Sequence, residues 1–336
     1  MATLTALMSC YNSERWVGEA IESVLRQSFS DFELLIIDDG SSDTTVREIQ
    51  RFRDSRIRLV QLPVNVGVGA ALNLGLSLVR SPLIAKVDSD DINHPSRFSK
   101  QIEFLYKHPD VTLVKTGIEF FPDTPEVAAS ARYGWLSTVK APALNVLTSH
   151  ADISGSLWDW CCISHNSFMA QTPAVNSVGY LPWRVFEDYA LFYRLNERAS
   201  KFAGLEEVLV NMRVSPLSTT GQGTTSSLPH LLELKSTRLN QLIHGAREVC
   251  VLGGGGLATA TTQYLTSIGR GFVQIVSHSD APRESAFSAD LTDPITYDDT
   301  KDSHVFLVTC QPIRDLVTSA LRSLGLQSGE DFMVMA

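Results

Sequence analysis

The sequence predicts a doubly wound α/β sheet followed by a second, smaller α/β unit, and three observations support this prediction. Short apolar runs alternate with amphipathic stretches over the first 120 residues. Such strand–helix–strand repetition is typical of a parallel sheet with helices on both faces. A stretch with the composition of a linker begins near residue 215, and a new strand–helix alternation follows it. At 336 residues, the chain is long enough for two domains.

The first four strands are expected before residue 90, in the runs "LTALMSC", "FELLIIDDG", "IRLVQL" and "PLIAKV". The second run is almost continuously apolar, as is usual for a strand buried on both faces of a parallel sheet. After the first strand, apolar residues recur at the spacing of one helical face, namely Val17, Ala20, Ile21, Val24 and Leu25. We also expect helices in "DTTVREIQRF", with Asp43 as the N-cap, and in "GVGAALNLGLSLV".

Three segments are expected along the chain: an α/β domain over residues 1–214, a linker and connecting helix over 215–245, and a small Rossmann-like α/β domain over 246–336. The linker sequence, "SPLSTTGQGTTSSLP", is rich in residues that favour loops, and the helix "HLLELKSTRLNQLIHGA" follows it. The small domain is expected to contain the strands "EVCVLGGGG", "GFVQIVSHS", "HVFLVTC" and "DFMVMA", and a helix from about Ile313 to Leu324.

Composition restricts the classes of partner and the compartment. The formal net charge of −9 argues against nucleic acid as the main partner, because phosphate binding requires a basic surface. The N-terminus lacks the pattern of a signal peptide, and no apolar run approaches the roughly 20 residues of a membrane span. None of the five cysteines has Cys-x-x-Cys spacing, so we expect reduced thiols and a cytoplasmic location.

Acidic clusters follow two of the predicted strands. Asp38 and Asp39 follow "LLII", and the run from Asp88 to Asp91 follows "LIAKV". Because ligands of open α/β sheets bind beyond the carboxyl ends of the strands, both clusters would face one crevice. Asp and Ser are also common in turns and caps, which is the alternative explanation for either cluster taken alone. Carboxylates at Asp-x-Asp spacing suit a hard divalent cation that also binds phosphate oxygens.

Three stretches together resemble a family 2 glycosyltransferase of the GT-A fold. They occur in family order and are "LMSCYNSERWVGEAIESVLRQSFSDFELLIIDDGSSDTT", "NVGVGAALNLGLSLVRSPLIAKVDSDDINHPSRFSKQIEFLYKHPDV" and "VFEDYALFYRLNER". The resemblance covers the chain to about residue 215. It implies an inverting transfer of a sugar from a nucleotide diphosphate sugar, with Mn²⁺ or Mg²⁺ as the cofactor and UDP as the commonest carrier.

The resemblance assigns five residues to the nucleotide. Ser9 and Tyr11, at the end of the first strand, would border the nucleotide base. Asp39 would accept a hydrogen bond from the base. Asn65 and Gly67 match an Asn-x-Gly motif that lies near the nucleotide.

The same resemblance assigns the metal ligands and the catalytic base. Asp88 and Asp90 match the Asp-x-Asp motif, in which Asp90 would bind the metal directly and Asp88 would lie nearer the ribose and diphosphate. Asp91 would be a supporting group. Asp188 aligns with the catalytic base, and Glu187 beside it would orient the acceptor or the backbone. Without the resemblance, this pair could simply complement the N-terminus of an amphipathic helix.

Two further residues match family positions. His165 matches a histidine that would contact the donor phosphates or the acceptor, although a lone histidine is more often structural. Arg213 matches the arginine of a closing Tyr-Arg-x-His pattern, in which this chain has Met212 and Ser215. This departure puts in question whether the segment closes over the donor.

Four tryptophans lie in or beside the segment between the metal motif and the base. We expect core packing for at least two of them, since this is the commoner use of tryptophan. Stacking on the faces of an acceptor sugar is the alternative. The four are Trp135, Trp158, Trp160 and Trp183.

A glycine run in the last third of the chain matches a variant of the dinucleotide-binding fingerprint, Gly253-x-Gly255-x-x-Ala258. The next strand should end in an acid that binds a ribose, but it ends in Ser277 and His278. The unit is also short for a complete two-halved Rossmann domain. We therefore expect a scaffolding or oligomerising module, and nucleotide binding is the alternative.

Several functions compete with the transferase interpretation. A sugar nucleotidyltransferase needs a glycine-rich loop with Arg or Lys after the first strand, and "SCYNSERW" does not provide one. A catalytically silent nucleotide-sugar binding or assembly protein is the leading alternative, and an NAD-dependent oxidoreductase depends only on the glycine run. The partners expected by resemblance are a nucleotide diphosphate sugar and a saccharide or lipid-linked saccharide acceptor. Contact with the inner face of the membrane and homo-oligomerisation remain open.

Overall fold

The structure is a computed structural model, and it describes residues 2–216, 228–246, 248–275, 304–309 and 314–335. The chain divides into two compact units, Met1–Gln222 and Gly223–Ala336, and each contains one β-sheet. Most of the predicted linker, residues 217–227, lies outside the described residues. The division into domain, linker and small domain therefore stays a prediction.

The larger unit is built on one mixed sheet of eight strands. These are β1 (Leu4–Cys10), β2 (Phe32–Asp38), β3 (Ile57–Gln61), β4 (Leu83–Asp88), β5 (Ile92–Asn93), β6 (Leu113–Pro122), β7 (Met169–Gln171) and β8 (Phe202–Val214). Their order is β3-β2-β1-β4-β7-β6-β8-β5. The first four strands are parallel, whereas β7 is antiparallel to β4 and β6. All four strands predicted before residue 90 are confirmed.

Helices precede and follow these strands. They are α1 (Val17–Leu25), α2 (Thr45–Gln50), α3 (Val68–Leu78), α4 (Arg97–Lys107), α5 (Pro125–Ala128), α6 (Ala131–Trp135), α7 (Ala141–Asn145), α8 (His150–Leu157), α9 (Thr172–Val178) and α10 (Glu187–Glu197). A π-helical turn spans Leu136–Lys140, and a 3₁₀ turn spans His165–Ser167. Alternate residues of β1 pack on opposite sides: Met8 packs with α1 and α4, and Leu7 packs with α3, α9 and α10. Both faces of the sheet are therefore covered, which confirms the doubly wound prediction.

Two local predictions about helices are wrong. Thr44, not Asp43, is the N-cap residue of α2. Asp43 instead accepts the backbone N–H of Thr45 through one oxygen and that of Glu14 through the other, so it ties the helix to the loop after β1. Helix α10 was expected to be amphipathic, but eight of its eleven residues are buried because it packs inside the unit.

The smaller unit contains a four-stranded parallel sheet in the order β10-β9-β11-β12. Its elements are β9 (Glu248–Leu252), β10 (Val273–Ile275), β11 (His304–Val308), β12 (Phe332–Val334), α11 (Leu228–Ile243), α12 (Gly255–Ser267) and α13 (Arg314–Ser323). The predicted strands and helices of this unit are present, although Ser277, His278, Cys310 and Ile313 lie outside the described residues. In the described part of the chain, no helix combines the length and apolar character that a bilayer crossing requires.

Candidate active site

The carboxyl ends of β2 and β4 meet at one edge of the large sheet, on either side of β1. Ser9 pairs with Ile37 of β2 and with Asp88 of β4, and Cys10 pairs with Asp38. Because three parallel strands end at the same level, the two acidic clusters lie at one edge of the sheet, as the sequence predicts. That both clusters face a single crevice stays a prediction.

Asp39 holds the loop that carries the Asn-x-Gly motif. Its two carboxylate oxygens accept hydrogen bonds from the Asn65 side chain at 3.0 Å, from Val66 N–H at 2.8 Å and from Gly67 N–H at 2.9 Å. Gly67 has a φ of +92°, a conformation that favours glycine. Asp39 is buried. The structure thus brings three of the predicted nucleotide residues together, with Asp39 acting on the loop; its hydrogen bond to a base stays a prediction.

The acidic run after β4 is held by groups from several elements. Lys86 lies on the same strand, is 1% exposed, and forms an ion pair with Asp88. Asp91 is buried and accepts hydrogen bonds from the backbone N–H of Arg213, at 2.7 Å, and from the side chain of Asn166. The supporting contacts of Asp91 therefore come from β8 and from the 3₁₀ turn, far along the chain.

Burial and like charge shift the pKa values of these carboxyls. Burial, and then the charge of Asp88, raises the pKa of Asp90 to about 6. Burial and the charges of Asp90 and Asp88 raise the pKa of Asp91 well above its usual range. Burial alone would raise the pKa of Asp88, but the charge of Lys86 and several weaker interactions outweigh it, so the pKa is lowered.

These three carboxylates can hold a cation. Asp88, Asp90 and Asp91 each offer one oxygen, and the three oxygens lie within 4.8 Å of one another. An all-oxygen donor set suits Mg²⁺, Mn²⁺ or Ca²⁺ rather than a soft metal. A positive charge here would also relieve the mutual repulsion that raises the pKa of Asp90. The residues present therefore fit a hard divalent cation.

Arg213, on β8, contacts the acidic run through its side chain as well as its backbone. Its Nε donates to the backbone oxygen of Asp90 at 3.0 Å, and its Nη2 donates to Glu19 at 2.5 Å. Its Nη1 is 3.5 Å from Asp123, and its guanidinium lies 4.6 Å from the centroid of the Phe121 ring. The side chain is 9% exposed. Arg213 thus connects the acidic run to Glu19 and Asp123, and closure of its segment over the donor stays a prediction.

The acidic pair Glu187–Asp188 begins α10, directly after Phe186, whose φ is +66°. Burial, and then the charge of Asp188, raises the pKa of Glu187 to about 8. Burial and the charge of Asp88 raise the pKa of Asp188 against the opposing hydrogen bond from Tyr189 N–H. The 3₁₀ turn brings the pair near the acidic run, because Asn166 donates to Asp91 and the neighbouring His165 has its Nδ1 4.0 Å from Glu187.

His165 lies between these two groups. Its Nε2 is 2.9 Å from the Tyr180 hydroxyl, and its Nδ1 is 4.0 Å from Glu187. Burial, and then the charge of Lys86, lowers the pKa of His165 to about 3, so the imidazole is neutral at pH 7. It stacks near Phe168, with ring centroids 6.0 Å apart. These contacts give His165 a structural role in the wall, and its contact with donor or acceptor stays a prediction.

The remaining predicted residues differ in exposure. Tyr11 is 49% exposed, and Ser9 is partly buried at the edge of the sheet. Trp183 is 9% exposed, and Trp160 packs partly buried against two core clusters. Trp158 packs edge-on against Tyr193, whereas Trp135 is 53% exposed.

Several residues of the site were not found from the sequence. Lys86 was detectable in principle, as a single lysine within the apolar run of β4. Arg184 had no such signal; its Nη1 donates to the Asn65 side chain at 2.9 Å. A Cβ atom at Gly69 would lie 2.1 Å from the backbone oxygen of Leu181. The segment before α10 therefore packs directly on the start of α3, which follows the Asn-x-Gly loop.

Solved structures show the same fold. Staphylococcus aureus TarS 1–349 in complex with UDP has a TM-score of 0.54 and 18% identity, covering 71% of this chain and 66% of that chain. The mannosyltransferase PcManGT from Pyrobaculum calidifontis, in complex with GDP-Man and Mn²⁺, has a TM-score of 0.53 and 14% identity, covering 86% of this chain and 79% of that chain. The mixed sheet covered on both faces is the GT-A fold.

Sequence relatives identify the family. EpsE of Bacillus subtilis (strain 168) is 38% identical over 123 residues, which cover 36% of this chain and only 44% of that protein. A galactosyltransferase of Escherichia coli is 27% identical over 216 residues, covering 63% of this chain and 74% of that protein. An uncharacterized glycosyltransferase of Haemophilus influenzae is 30% identical over 216 residues, covering 62% of this chain and 75% of that protein. The family model of glycosyl transferase family 2 matches residues 5–168, and this chain belongs to that family.

Proposed function

We propose that this chain transfers a sugar from a UDP-linked donor to a hydroxyl group of a saccharide or lipid-linked saccharide, with inversion at the anomeric carbon, during the synthesis of a surface polysaccharide. The observation that carries this proposal is that the 3₁₀ turn contacts two acidic groups: Asn166 donates to Asp91 in the run after β4, and His165 Nδ1 lies 4.0 Å from Glu187 in the pair that begins α10. One group suits the donor and the other suits the acceptor. The proposed location is the cytoplasm, at the inner face of the membrane.

The names of similar proteins support the choice of substrates. The Escherichia coli relative is named UDP-Gal:alpha-D-GlcNAc-diphosphoundecaprenol beta-1,3-galactosyltransferase, which specifies a UDP-linked donor and a lipid-linked acceptor. TarS was solved in complex with UDP, and PcManGT with GDP-Man and Mn²⁺. A UDP-sugar and a lipid-linked acceptor are therefore our first choices for this chain.

On the donor side, we assign Mn²⁺ or Mg²⁺ to Asp88 and Asp90. Asp91 is less suited to be a ligand, because both of its oxygens already accept hydrogen bonds. A divalent cation held here would supply positive charge to the leaving diphosphate, an effect typically worth several kcal/mol. Asp39 would act on the nucleotide indirectly, because its hydrogen bonds would hold the Asn65–Gly67 loop beside the nucleotide.

On the acceptor side, Asp188 acts as the general base. The acceptor oxygen forms a bond to the anomeric carbon while the bond from that carbon to the diphosphate oxygen breaks, and its electron pair leaves with the diphosphate. The proton of the acceptor hydroxyl passes to Asp188. A raised pKa makes Asp188 a stronger base than an exposed carboxylate. Glu187, with a pKa of about 8, is protonated at pH 7 and can donate a hydrogen bond to the acceptor.

The variant Asp188→Asn tests this assignment, because an amide cannot accept the proton. We expect transfer to fall about 10²- to 10⁴-fold, while binding of the UDP-sugar changes less than about twofold. Glu187→Gln is the matched control, since its amide keeps the hydrogen-bond donor. Transfer by Asp188→Asn at the parent rate would rule out Asp188 as the base. Binding of the sugar nucleotide without transfer in the parent would favour the silent binding or assembly protein.

A further inference from the structure

A continuous helical segment between the metal motif and the base carries an exposed apolar face. It consists of α6, the π-helical turn and α7, and the residues at both junctions keep helical dihedral angles. Trp135 is 53% exposed, Val139 is 51% exposed and Val146 is 73% exposed. Val146 directly follows α7 and keeps helical dihedral angles. Spacings of four and seven residues return to nearly the same side of a helix, so the three side chains share one side, and the exposed Ala143 lies between Val139 and Val146. We call these four residues the apolar stripe.

Single exposed apolar side chains are normal on soluble proteins, so the clustering is what matters. Of the eleven large hydrophobic residues that are exposed in the described part of the chain, three lie in the twelve residues from 135 to 146. The segment is not simply unpacked, because Ala141 and Leu144 on its other side are buried against Ile118. Within the described residues, this helical segment is packed on one face and has no partner for its apolar exposed face.

The charge around the apolar stripe differs from that of the chain. Residues 127–151 contain no Asp or Glu, although the whole chain has 37 acidic residues and a net charge of −9. The same stretch contains Arg132 and Lys140. Apolar side chains combined with basic ones and without acidic ones are typical of helices that lie on anionic lipid bilayers.

The inner side of the segment borders the acceptor side of the site. Lys140 Nζ lies 4.3 Å from the centroid of the Trp160 ring. Cys161, the residue after Trp160, has its Sγ 3.9 Å from a carboxylate oxygen of Asp188. The π-helical turn that carries Val139 therefore also contacts, through Lys140, the residues beside the proposed base.

We propose that the apolar stripe docks on the surface of an anionic lipid bilayer. Trp135, Val139 and Val146 enter the boundary between headgroups and acyl chains, while the exposed Arg132 favours the negative surface. The inference rests on the proposed function in one respect: docking by this face brings Asp188 to the depth at which the sugar of a lipid-linked acceptor is presented.

Vesicle co-sedimentation of the full chain tests the proposal. We expect the parent to bind vesicles of phosphatidylcholine and phosphatidylglycerol, and to bind phosphatidylcholine vesicles several-fold more weakly. The double variant Val139→Asn/Val146→Asn should bind the anionic vesicles about tenfold more weakly, because it removes apolar area from the interface. Asn and Val have similar helix propensities, so the helix is retained. The control is Tyr106→Asn, which removes a 65% exposed side chain from α4 and should leave vesicle binding unchanged.

The outcomes separate this proposal from the proposed function. Transfer to a water-soluble acceptor should stay within about twofold of the parent in both variants, because neither touches the site. Absence of binding by the parent, or equal binding by the double variant, would overturn membrane docking. A parent dimer that the double variant dissociates in analytical ultracentrifugation would also overturn it, since a second copy would then cover the stripe. Vesicle binding without any transfer would refute only the proposed function.

Discussion

The carboxylates at the ends of β2 and β4 lie at the same edge of the sheet, yet they have different partners. Asp39, after β2, accepts three hydrogen bonds from N–H groups of residues 65–67. Asp90, after β4, is half-buried beside Asp88, and its pKa rises to about 6. The first carboxylate stabilises a loop of the protein, whereas the second is repelled by Asp88 and is one of the two carboxylates that we propose as ligands of a cation. Neighbouring strand ends can thus carry a carboxylate that holds a loop and one proposed to hold a ligand, and their partners distinguish them.

The variant Asp90→Asn should produce the largest loss of activity. Removing a charge that holds the cation should lower transfer on the order of 10³-fold, since several kcal/mol of stabilisation of the leaving group is lost. Without metal, the free energy of unfolding should not decrease, because a neutral amide replaces a carboxylate repelled by Asp88. Turnover of the sugar nucleotide and urea unfolding measure the two effects. Transfer at the parent rate would mean that Asp90 does not hold a catalytic cation.

The variant Asp39→Asn should show the opposite pattern. Its carboxylate accepts three hydrogen bonds, and an amide would turn a donor toward N–H groups. We expect the free energy of unfolding to fall by about 2 kcal/mol, and donor affinity to fall with it as the Asn65–Gly67 loop loosens. Asp90→Asn, measured in the same urea titration, is the matched control. An Asp39→Asn protein as stable as the parent would show that Asp39, like Asp90, does not stabilise the fold.

The pH dependence of stability tests whether the pKa of Glu187, in the acidic pair, is raised. A buried carboxyl whose pKa is raised binds its proton more tightly in the folded state, so stability falls as pH rises between the unfolded and folded pKa values. For Glu187 this window runs from about 4.5 to about 8. Glu187→Gln should therefore gain stability relative to the parent across that window, on the order of 5 kcal/mol in total. A constant difference between pH 4.5 and 8 would show that the pKa of Glu187 is not raised.

The smallest effect is expected at Arg184, which connects the nucleotide loop to the segment before α10. Arg184→Met removes its hydrogen bond to Asn65, so we expect KM for the donor to rise about three- to tenfold with little change in kcat. Arg26→Met is the control, because Arg26 pairs only with Glu22 on an exposed surface of α1 in the described structure. Equal kinetics for both variants would mean that Arg184 does not position the loop.

The local pattern of the sequence was sufficient for the parallel half of the sheet. Apolar runs set β1, β2 and β4, and the acidic residues that follow them were correctly expected at one edge. The groups that hold these acids could not be expected from any local pattern. Asn166 and Arg213 reach Asp91 from 75 and 122 residues away, and only the folded chain brings them together.

Two other failures have similar physical causes. Asp43 has the residue type of a helix cap, but its second oxygen is used by the loop after β1, and Thr44 becomes the cap. Helix α10 has polar residues at intervals, yet the surrounding helices bury most of it. In both cases, tertiary contacts override a preference that would decide the structure of an isolated peptide.

The most direct test of the account is a thermal unfolding measurement with UDP, in the presence of Mn²⁺ and after chelation. If Asp88 and Asp90 hold a cation at the diphosphate, UDP with Mn²⁺ should stabilise the parent by about 2.7 kcal/mol at a hundredfold excess over Kd. Chelation should abolish most of this effect, and Asp90→Asn should respond like the chelated parent. Equal stabilisation by UDP with and without the ion would contradict the metal assignment, and with it the central claim.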